Sequence, residues 1–383
     1  MREDWVSYRF DEVFDLQMGK TPARDNPSYW GDGNIWVSIA DMKDVKYISS
    51  SKEQITDVAV RESGIKPVKK GTAIMSFKLS IGKAAIASTD LYTNEAIMSF
   101  SVKDGHKVKP EFIYYFLKGF KWAGANKAVM GFTLNKKTIA SNFFSYPPIA
   151  EQEKIVAELD CLTGIIKKKK QQLEELDKLA QSIFYEMFGD IAHNSKQFHV
   201  EKICDLGELA RGVSKHRPRN APELLGGEMP LIQTGDVANA DLFIREYHST
   251  YSALGVSQSR VWEKGTICIT IAANIGNCAI LSFRACFPDS VVGFIHNDKL
   301  SLFYALFVFN NLQALLEEKA RGIAQKNINL QILNELLIPV PPRYLQDLFA
   351  EKIEAIEKQK ELVKQSIVET ETLFNSRMDF WFN

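Results

Sequence analysis

Two Pro-Pro pairs come nearest to a catalytic signature. An amino-methyltransferase holds the amino group of a flipped base on an Asn/Asp-Pro-Pro-Tyr/Phe loop. Here the pairs stand as SYPPIA (Pro147-Pro148) and VPPRYL (Pro341-Pro342), with neighbours that do not fit, so they read as punctuation before helices. GFTLNKKT (Gly131–Thr138) imitates a phosphate-binding loop, but Lys136 occupies the place of the second glycine. The cysteines Cys161, Cys204, Cys268, Cys278 and Cys286 form no CxxC pair and no metal-ligand spacing with the histidines. His193 and His199 read as solvated loop residues, and Asp41 and Asp236 as turn residues. No acidic-acidic-Lys nuclease cluster stands out. The expectation is a chain without catalytic residues, metal ligands or a cofactor site of its own.

What remains is recognition. Arg, Lys, Asn and Gln on rigid loops hydrogen-bond base edges, while Lys, Arg and helix N-termini hold phosphates. In the first part of the chain the candidates are Lys20, Arg24, Lys78, Lys83, Asn135, Lys136 and Lys137. In the second they are Arg211, Lys215, Arg217, Arg219, Asn274, Asn277, Gln325, Lys326 and Asn327. RGVSKHRPRN (Arg211–Asn220) is the best basic loop, stiffened by Pro218. The competing reading of each is a solvated charge or a turn former, and Asn135 and Asn329 are placed to cap short helices. The run Lys167–Lys170 reads as a solvated helix face, or else as a contact for phosphate or a partner subunit. Lys and Arg together number 47, as do Asp and Glu, which argues against a generic polyanion binder. Residues 1–150 carry 21 basic and 16 acidic side chains, residues 196–342 carry 14 of each, and the two long helices are acidic. A nucleic-acid surface must therefore be a local patch on the globular parts.

The element that must position these residues is AEQEKIVAELDCLTGIIKKKKQQLEELDKLAQSIFYEMFG (Ala150–Gly189). Apolar residues fall at Ile155, Leu159, Leu162, Ile166, Leu173, Leu176, Ala180, Ile183 and Met187, a heptad seam that only Lys169 interrupts. A helix this long needs a partner along its length. An offset of 194 supplies one. Pro147-Pro148 falls on Pro341-Pro342, Gln152 on Gln346, and the seam on Phe349, Ile353, Ile356, Lys360, Val363, Ile367, Thr370, Phe374, Arg377 and Trp381. Lys360, Thr370 and Arg377 degrade that second seam, so its packing is expected to be poorer there. The globular parts repeat as well: KKGTAIMSF matches EKGTICITI, SIGKAAIA matches NIGNCAIL, and Asp41 falls on Asp236. Strands are predicted at Ile35–Ile39, Thr72–Phe77, Lys83–Ala87 and Ile97–Val102, and a short helix at Pro110–Lys118. The fold class is α+β: two similar mixed α/β domains joined by two long coiled-coil helices, inferred to pair antiparallel, in a pseudo-two-fold internal repeat.

With the repeat, the Pro-Pro pair before IAEQEKI (Ile149–Ile155), the helix ending SIFYEMFGD, and the signatures VKKGTAIMSF…IGKAAIA and EKGTICITI…IGNCAIL, the chain resembles the specificity subunits of type I restriction–modification systems. The resemblance implies a target recognition domain over residues 1–149, a spacer helix over 150–190, a second target recognition domain over 191–342 and a C-terminal helix over 343–383. It implies that each domain reads one half of an asymmetric, split duplex DNA site. The helices would measure the spacer and dock two modification subunits, which restriction subunits join. S-adenosylmethionine, ATP and magnesium would be held by those partners, and this chain would hold no cofactor. Two other readings stay open: a self-sufficient methyltransferase or nuclease, and a coiled-coil scaffold that binds no DNA. Scattered cysteines, an N-terminus without an apolar signal core and no membrane-length apolar run lead to the expectation of a cytoplasmic protein that meets no membrane.

Overall fold

The computed structural model describes residues 4–43, 45–122, 126–128, 131–216, 218–271, 276–321 and 330–383. It falls into two compact units that do not follow chain order. The first joins Met1–Lys170 to Gln365–Asn383, and the second is Gln171–Lys364.

In the first unit five strands form the central sheet: β1 (Phe14–Met18), β2 (Tyr47–Ile48), β3 (Ala73–Ser76), β4 (Ala84–Ala87) and β5 (Ile97–Val102). Their order is β1-β5-β3-β4-β2, antiparallel except for the last pair. The second unit repeats the plan with β6 (Gly207–Arg211), β7 (Phe243–Ile244), β8 (Ile267–Thr270), β9 (Cys278–Leu281) and β10 (Val291–His296). The order is β6-β10-β8-β9-β7, again parallel only at the last pair. The predicted strands lie where expected, with Ile35–Ile39 displaced into the longer strand Trp30–Val37. β3, β4, β8 and β9 are buried along their whole length, which is why they read as apolar runs and not as alternating ones.

Four helices complete the core: α1 (Pro110–Gly119), α2 (Ile149–Phe188), α3 (Leu302–Arg321) and α4 (Arg343–Phe382). Pro110 sits at the first helical position of α1, where its missing N–H costs nothing. Gly189 ends α2 at φ +72, its N–H donating to the Tyr185 carbonyl at 2.8 Å.

Within each unit one stretch of α2 runs antiparallel to one stretch of α4. In the first unit Glu158 meets Arg377 and Lys169 meets Ser366. In the second Asp177 meets Lys360, and Phe184 lies 5.5 Å from Phe349. Residue numbers rise on one helix as they fall on the other, as the antiparallel inference requires.

The seam departs from expectation in two ways. Lys360 and Arg377 are both paired within it. Lys360 is 3% exposed and pairs with Asp177 at 2.7 Å and with Glu357 at 2.9 Å. Arg377 forks onto Glu158, which also accepts the Trp381 indole N–H at 3.1 Å. Burial alone would lower the Lys360 ammonium, but its two carboxylate partners outweigh that and hold it above the ordinary lysine value. The second departure is at the end of α2, where Phe184 and Phe188 are more deeply buried than the expected Ile183 and Met187. There α2 has two partners, because Phe188 meets Tyr304 of α3 at 4.8 Å and Phe349 of α4 at 5.3 Å. A helix with two neighbours buries a wider face than a two-stranded seam.

Candidate functional site

Each globular part is fastened to its helix by the same device. Gln152 and Gln346 are fully buried. The Gln152 carbonyl accepts the Lys109 N–H before α1 at 2.9 Å, while its amide donates to the Lys107 and Pro147 carbonyls at 2.9 and 2.8 Å. Gln346 accepts from the Ser301 N–H before α3 at 2.8 Å and donates to the Lys299 and Pro341 carbonyls at 3.0 and 2.9 Å. A primary amide is the side chain that can accept from one strand of backbone and donate to two others at once. Sequence comparison matched the two glutamines; the buried clamp they form needed coordinates.

Ion pairs fix the same parts further out. In the first unit Asp160 on α2 holds Lys46 at 2.5 Å and accepts the Tyr115 hydroxyl at 2.5 Å. In the second, Arg245 binds Glu361 of α4 at 2.6 Å, and Lys364 of α4 binds Asp241. Both loops concerned flank the edge strand, β2 or β7.

The two aspartates are turn clamps. Asp41 accepts the Ser38 N–H at 2.8 Å and the Ser38 hydroxyl at 2.6 Å through one oxygen, and the Lys52 N–H at 2.8 Å through the other. Burial pushes its carboxyl up, but these donors outweigh it and hold the group below its usual range. Asp236 accepts from the Gln233 N–H at 2.8 Å and from His248 at 2.6 Å, a bond that raises the His248 ring above its ordinary value.

The described candidates of the first unit are divided between different clefts. In the first unit Lys20 and Lys136 line a common cleft with Gln17, Lys66 and Glu95. Lys20 donates to the Ser63 carbonyl at 2.5 Å. Arg24 is committed elsewhere: its guanidinium forks onto Glu53 at 2.5 and 3.0 Å and lies 3.8 Å over the Trp30 ring. Asn135 caps the short helix Lys136–Ser141 by accepting the Thr138 N–H at 2.8 Å, leaving Lys136 and Lys137 exposed on its first turn. Lys78 is half-buried, 5.4 Å from the Phe77 ring. Lys83 lines a different cleft, together with Lys43, Lys118 and Tyr114.

In the second unit Arg211 is exposed at the end of β6. The loop beyond it is pinned by Gln258, whose carbonyl accepts the Lys215 and His216 N–H groups at 2.6 and 2.9 Å. Arg219 pairs with Asp289 at 2.6 Å. Asn277 is half-buried, its N–H donating to the Thr270 hydroxyl at 3.1 Å. Arg217, Asn274, Gln325, Lys326, Asn327 and the capping position Asn329 lie outside the described residues.

Among the described residues no group of three or more His, Cys, Asp or Glu is placed to hold a metal ion. Cys268 and Cys278 are buried thiols driven far above their ordinary pKa by desolvation, which suppresses the thiolate. Among the described residues no helix is long and apolar enough to cross a membrane.

Sequence reasoning passed over Lys43, Lys46 and Lys118. Lys43 and Lys118 stand on separate elements, and the fold brings them into the cleft that Lys83 lines. One signal was present: Lys118 follows Tyr114 by one helical turn, and its ammonium lies 3.4 Å from that hydroxyl.

Comparison with known proteins gives one consistent result. The family model described as type I restriction modification DNA specificity domain matches twice, over residues 2–176 and 196–372. The chain is 30% identical over 219 residues to the type I restriction enzyme MjaIX specificity subunit of Methanocaldococcus jannaschii, an alignment covering 56% of this chain and 49% of that one. Thus the match spans about half the length of that relative. The putative type I restriction enzyme MjaX specificity subunit of the same organism is 21% identical over 404 residues, covering 95% of this chain and 91% of that one. Among solved structures, a chain from work on complex assembly and conformational transition of the type I R-M system matches with a TM-score of 0.67 at 16% identity, over 100% of this chain and 98% of that one. The type I restriction-modification S subunit from M. genitalium matches with a TM-score of 0.54 at 15% identity, over 99% and 96%. At such identities the solved structures show a shared fold.

Proposed function

Since the chain belongs to the family of type I restriction modification DNA specificity domains, which it carries twice in tandem, we propose that it is the non-catalytic subunit that chooses the DNA sequence for a restriction–modification complex. Each unit reads one half of a split duplex site. The observation that carries this reading is one scaffold bearing two different surfaces. Strand order, glutamine clamp and aspartate turn recur in both units, while the polar residues on the loops differ, as with Lys83 and Asn277. Unlike surfaces on like scaffolds call for unlike half-sites, hence an asymmetric target.

In this reading α2 and α4 set the spacer. Each has 40 residues, or about 60 Å at 1.5 Å per residue, somewhat less than two turns of duplex at about 34 Å per turn. The same helices dock two modification subunits, which restriction subunits join. Methyl transfer, translocation and cleavage then belong to those partners, with S-adenosylmethionine, ATP and magnesium. The complex works in the cytoplasm, where its DNA is.

The test is methylation mapping in cells carrying the complete system. The expected outcome is a bipartite motif with two dissimilar halves and a fixed non-specific gap. A continuous palindrome would overturn the proposal. Methyl transfer by this chain alone, with labelled S-adenosylmethionine and no added subunit, would overturn the division of labour.

A further inference from the structure

Each aspartate turn holds together side chains that stand at matching places in the two units. The turn follows the strand Trp30–Val37 and precedes β2 in the first unit; it follows the strand Leu225–Leu231 and precedes β7 in the second. Strand register makes the two comparable residue by residue. Trp36 pairs with Glu53 as Leu231 pairs with Ser249. β2 and β7 lie parallel to β4 and β9 at corresponding residues. The loops after β2 and β7 are therefore residues 49–52 and 245–248, equal in length. Ser38 corresponds to Gln233, Lys52 to His248 and Glu53 to Ser249.

Behind the turn the apolar residues keep their kind. Val37 and Ile232, Met42 and Val237, and Ile48 and Ile244 are buried at matching positions. In front, the polar side chains all change while the aspartate stays. One donor to the aspartate changes with them. In the first unit Lys52 gives its backbone N–H to Asp41 at 2.8 Å. In the second the His248 ring donates to Asp236 at 2.6 Å instead.

That exchange fixes an outward group. The His248 side chain is 80% exposed, whereas its anchor Asp236 is 4% exposed. A ring tied through one nitrogen to a buried carboxylate is ordered before any ligand arrives, and its second nitrogen is left for an outside partner. Gln233 is exposed beside it, its amide donating to the Ser249 hydroxyl at 3.3 Å. A carboxamide keeps a further N–H and a carbonyl oxygen, the pair that matches the edge of adenine. A phosphate seat would keep a cation in both units and would reject the carboxylate of Glu53. Here hydroxyl gives way to amide, ammonium to imidazole and carboxylate to hydroxyl. Such an exchange rewrites the hydrogen-bond pattern, to which base edges respond and phosphates do not.

We propose that Gln233 and His248, both hung on Asp236, read base edges in the half-site of the second unit. This rests on the DNA-reading function proposed above.

The test is methylation mapping in cells carrying the complete system with Gln233→Ala or His248→Asn. The first variant keeps the backbone N–H that Asp236 accepts. The second keeps a short donor for Asp236 and removes the outer ring nitrogen. Each should relax one or two positions of a single half-site, raising methylation of the altered sites by about 5- to 100-fold relative to the parent motif. The other half-site and the gap should stay as they are. Urea midpoints of the purified variant chains should match the parent, which separates misreading from misfolding. An unchanged motif in either folded variant would overturn the assignment. So would relaxation of both half-sites, or a fall in methylation shared by all sequences. If His248→Asn does not fold, Gln233→Ala decides alone. A parent motif that is not split would instead overturn the DNA-reading function itself.

Discussion

Lys360 shows how a side chain that breaks a sequence pattern can satisfy the structure. Its ammonium sits in the helix seam, with 4% of the side chain exposed, against Glu357 at 11% and Asp177 at 61%. Lys360→Met should leave Glu357 nearly buried and unpaired, at a cost of about 3 kcal/mol in urea unfolding. The double variant Lys360→Met, Glu357→Leu should recover most of that loss, because an apolar pair of similar volume removes the buried charge. Alkali provides an independent readout. The folded-state pKa of Lys360 lies above its unfolded value of 10.5. Its stabilisation is therefore complete below about pH 10.5 and disappears as pH rises through the folded value. Stability of the parent should fall over that window more steeply than stability of the Met variant. Equal slopes would show that the pair contributes nothing to folding. The seam polarity was visible in the sequence as Lys360 and Arg377; their partners were not. Asp177 and Glu158 face them only in one antiparallel register, which no local pattern specifies. Arg24 and Arg219 illustrate the same limit. Each resembles a free recognition side chain until distant Glu53 or Asp289 is seen beside it.

At the level of the element, the two units show how one sheet accepts different side chains. The short bridge Val68–Leu91 in the first unit corresponds, at the offset of 194, to Trp262–Ala285 in the second. The buried Ser99 on β5 corresponds to Gly293 on β10. These two differences are linked. A Cβ on Gly293 would come within 2.5 Å of the Trp262 ring, so the larger ring requires the missing side chain. Trp262 then stacks on Phe287 at 4.8 Å. Gly293→Ser alone should cost about 2 kcal/mol through overpacking, and Trp262→Val about 3 to 4 kcal/mol through the cavity it leaves. Combined, they recreate the pair found in the first unit and should cost less than their sum, a coupling that a double-mutant cycle in urea would measure. Strict additivity would mean the two sites are independent. Strands and long helices were legible in the sequence because hydrophobic period and repeat agree there. The end of α2 was less so: Phe184 and Phe188 owe their burial to a third helix, and a heptad pattern carries no information about a third partner.

For the whole molecule, the units exchange segments: residues 365–383 are packed into the first unit, with Met378 and Phe382 inside the same aromatic core as Phe112 and Phe116. Phe382 lies 5.6 Å from each of those rings. Swapping residues 1–149 for a relative's domain should change one half-site and leave the other as it was, as methylation mapping of the hybrid would show. The swap should succeed only where the incoming α1 accepts Met378 and Phe382. A swap that altered both half-sites would end the idea of independent readers. The repeat and its matched glutamines made the two-domain plan legible from the sequence. The exchange of segments was not, since sequence order assigns each helix to the domain before it.

That crossing has a consequence for biosynthesis. A ribosome finishes every strand of the N-terminal lobe long before it makes the α4 residues that close its aromatic pocket. Until then Phe112 and Phe116 lack their covering ring, and the whole second lobe must be translated in the interval. The half synthesised first is thus the half that matures last, and in the nascent chain it is the one exposed to chaperones and proteases.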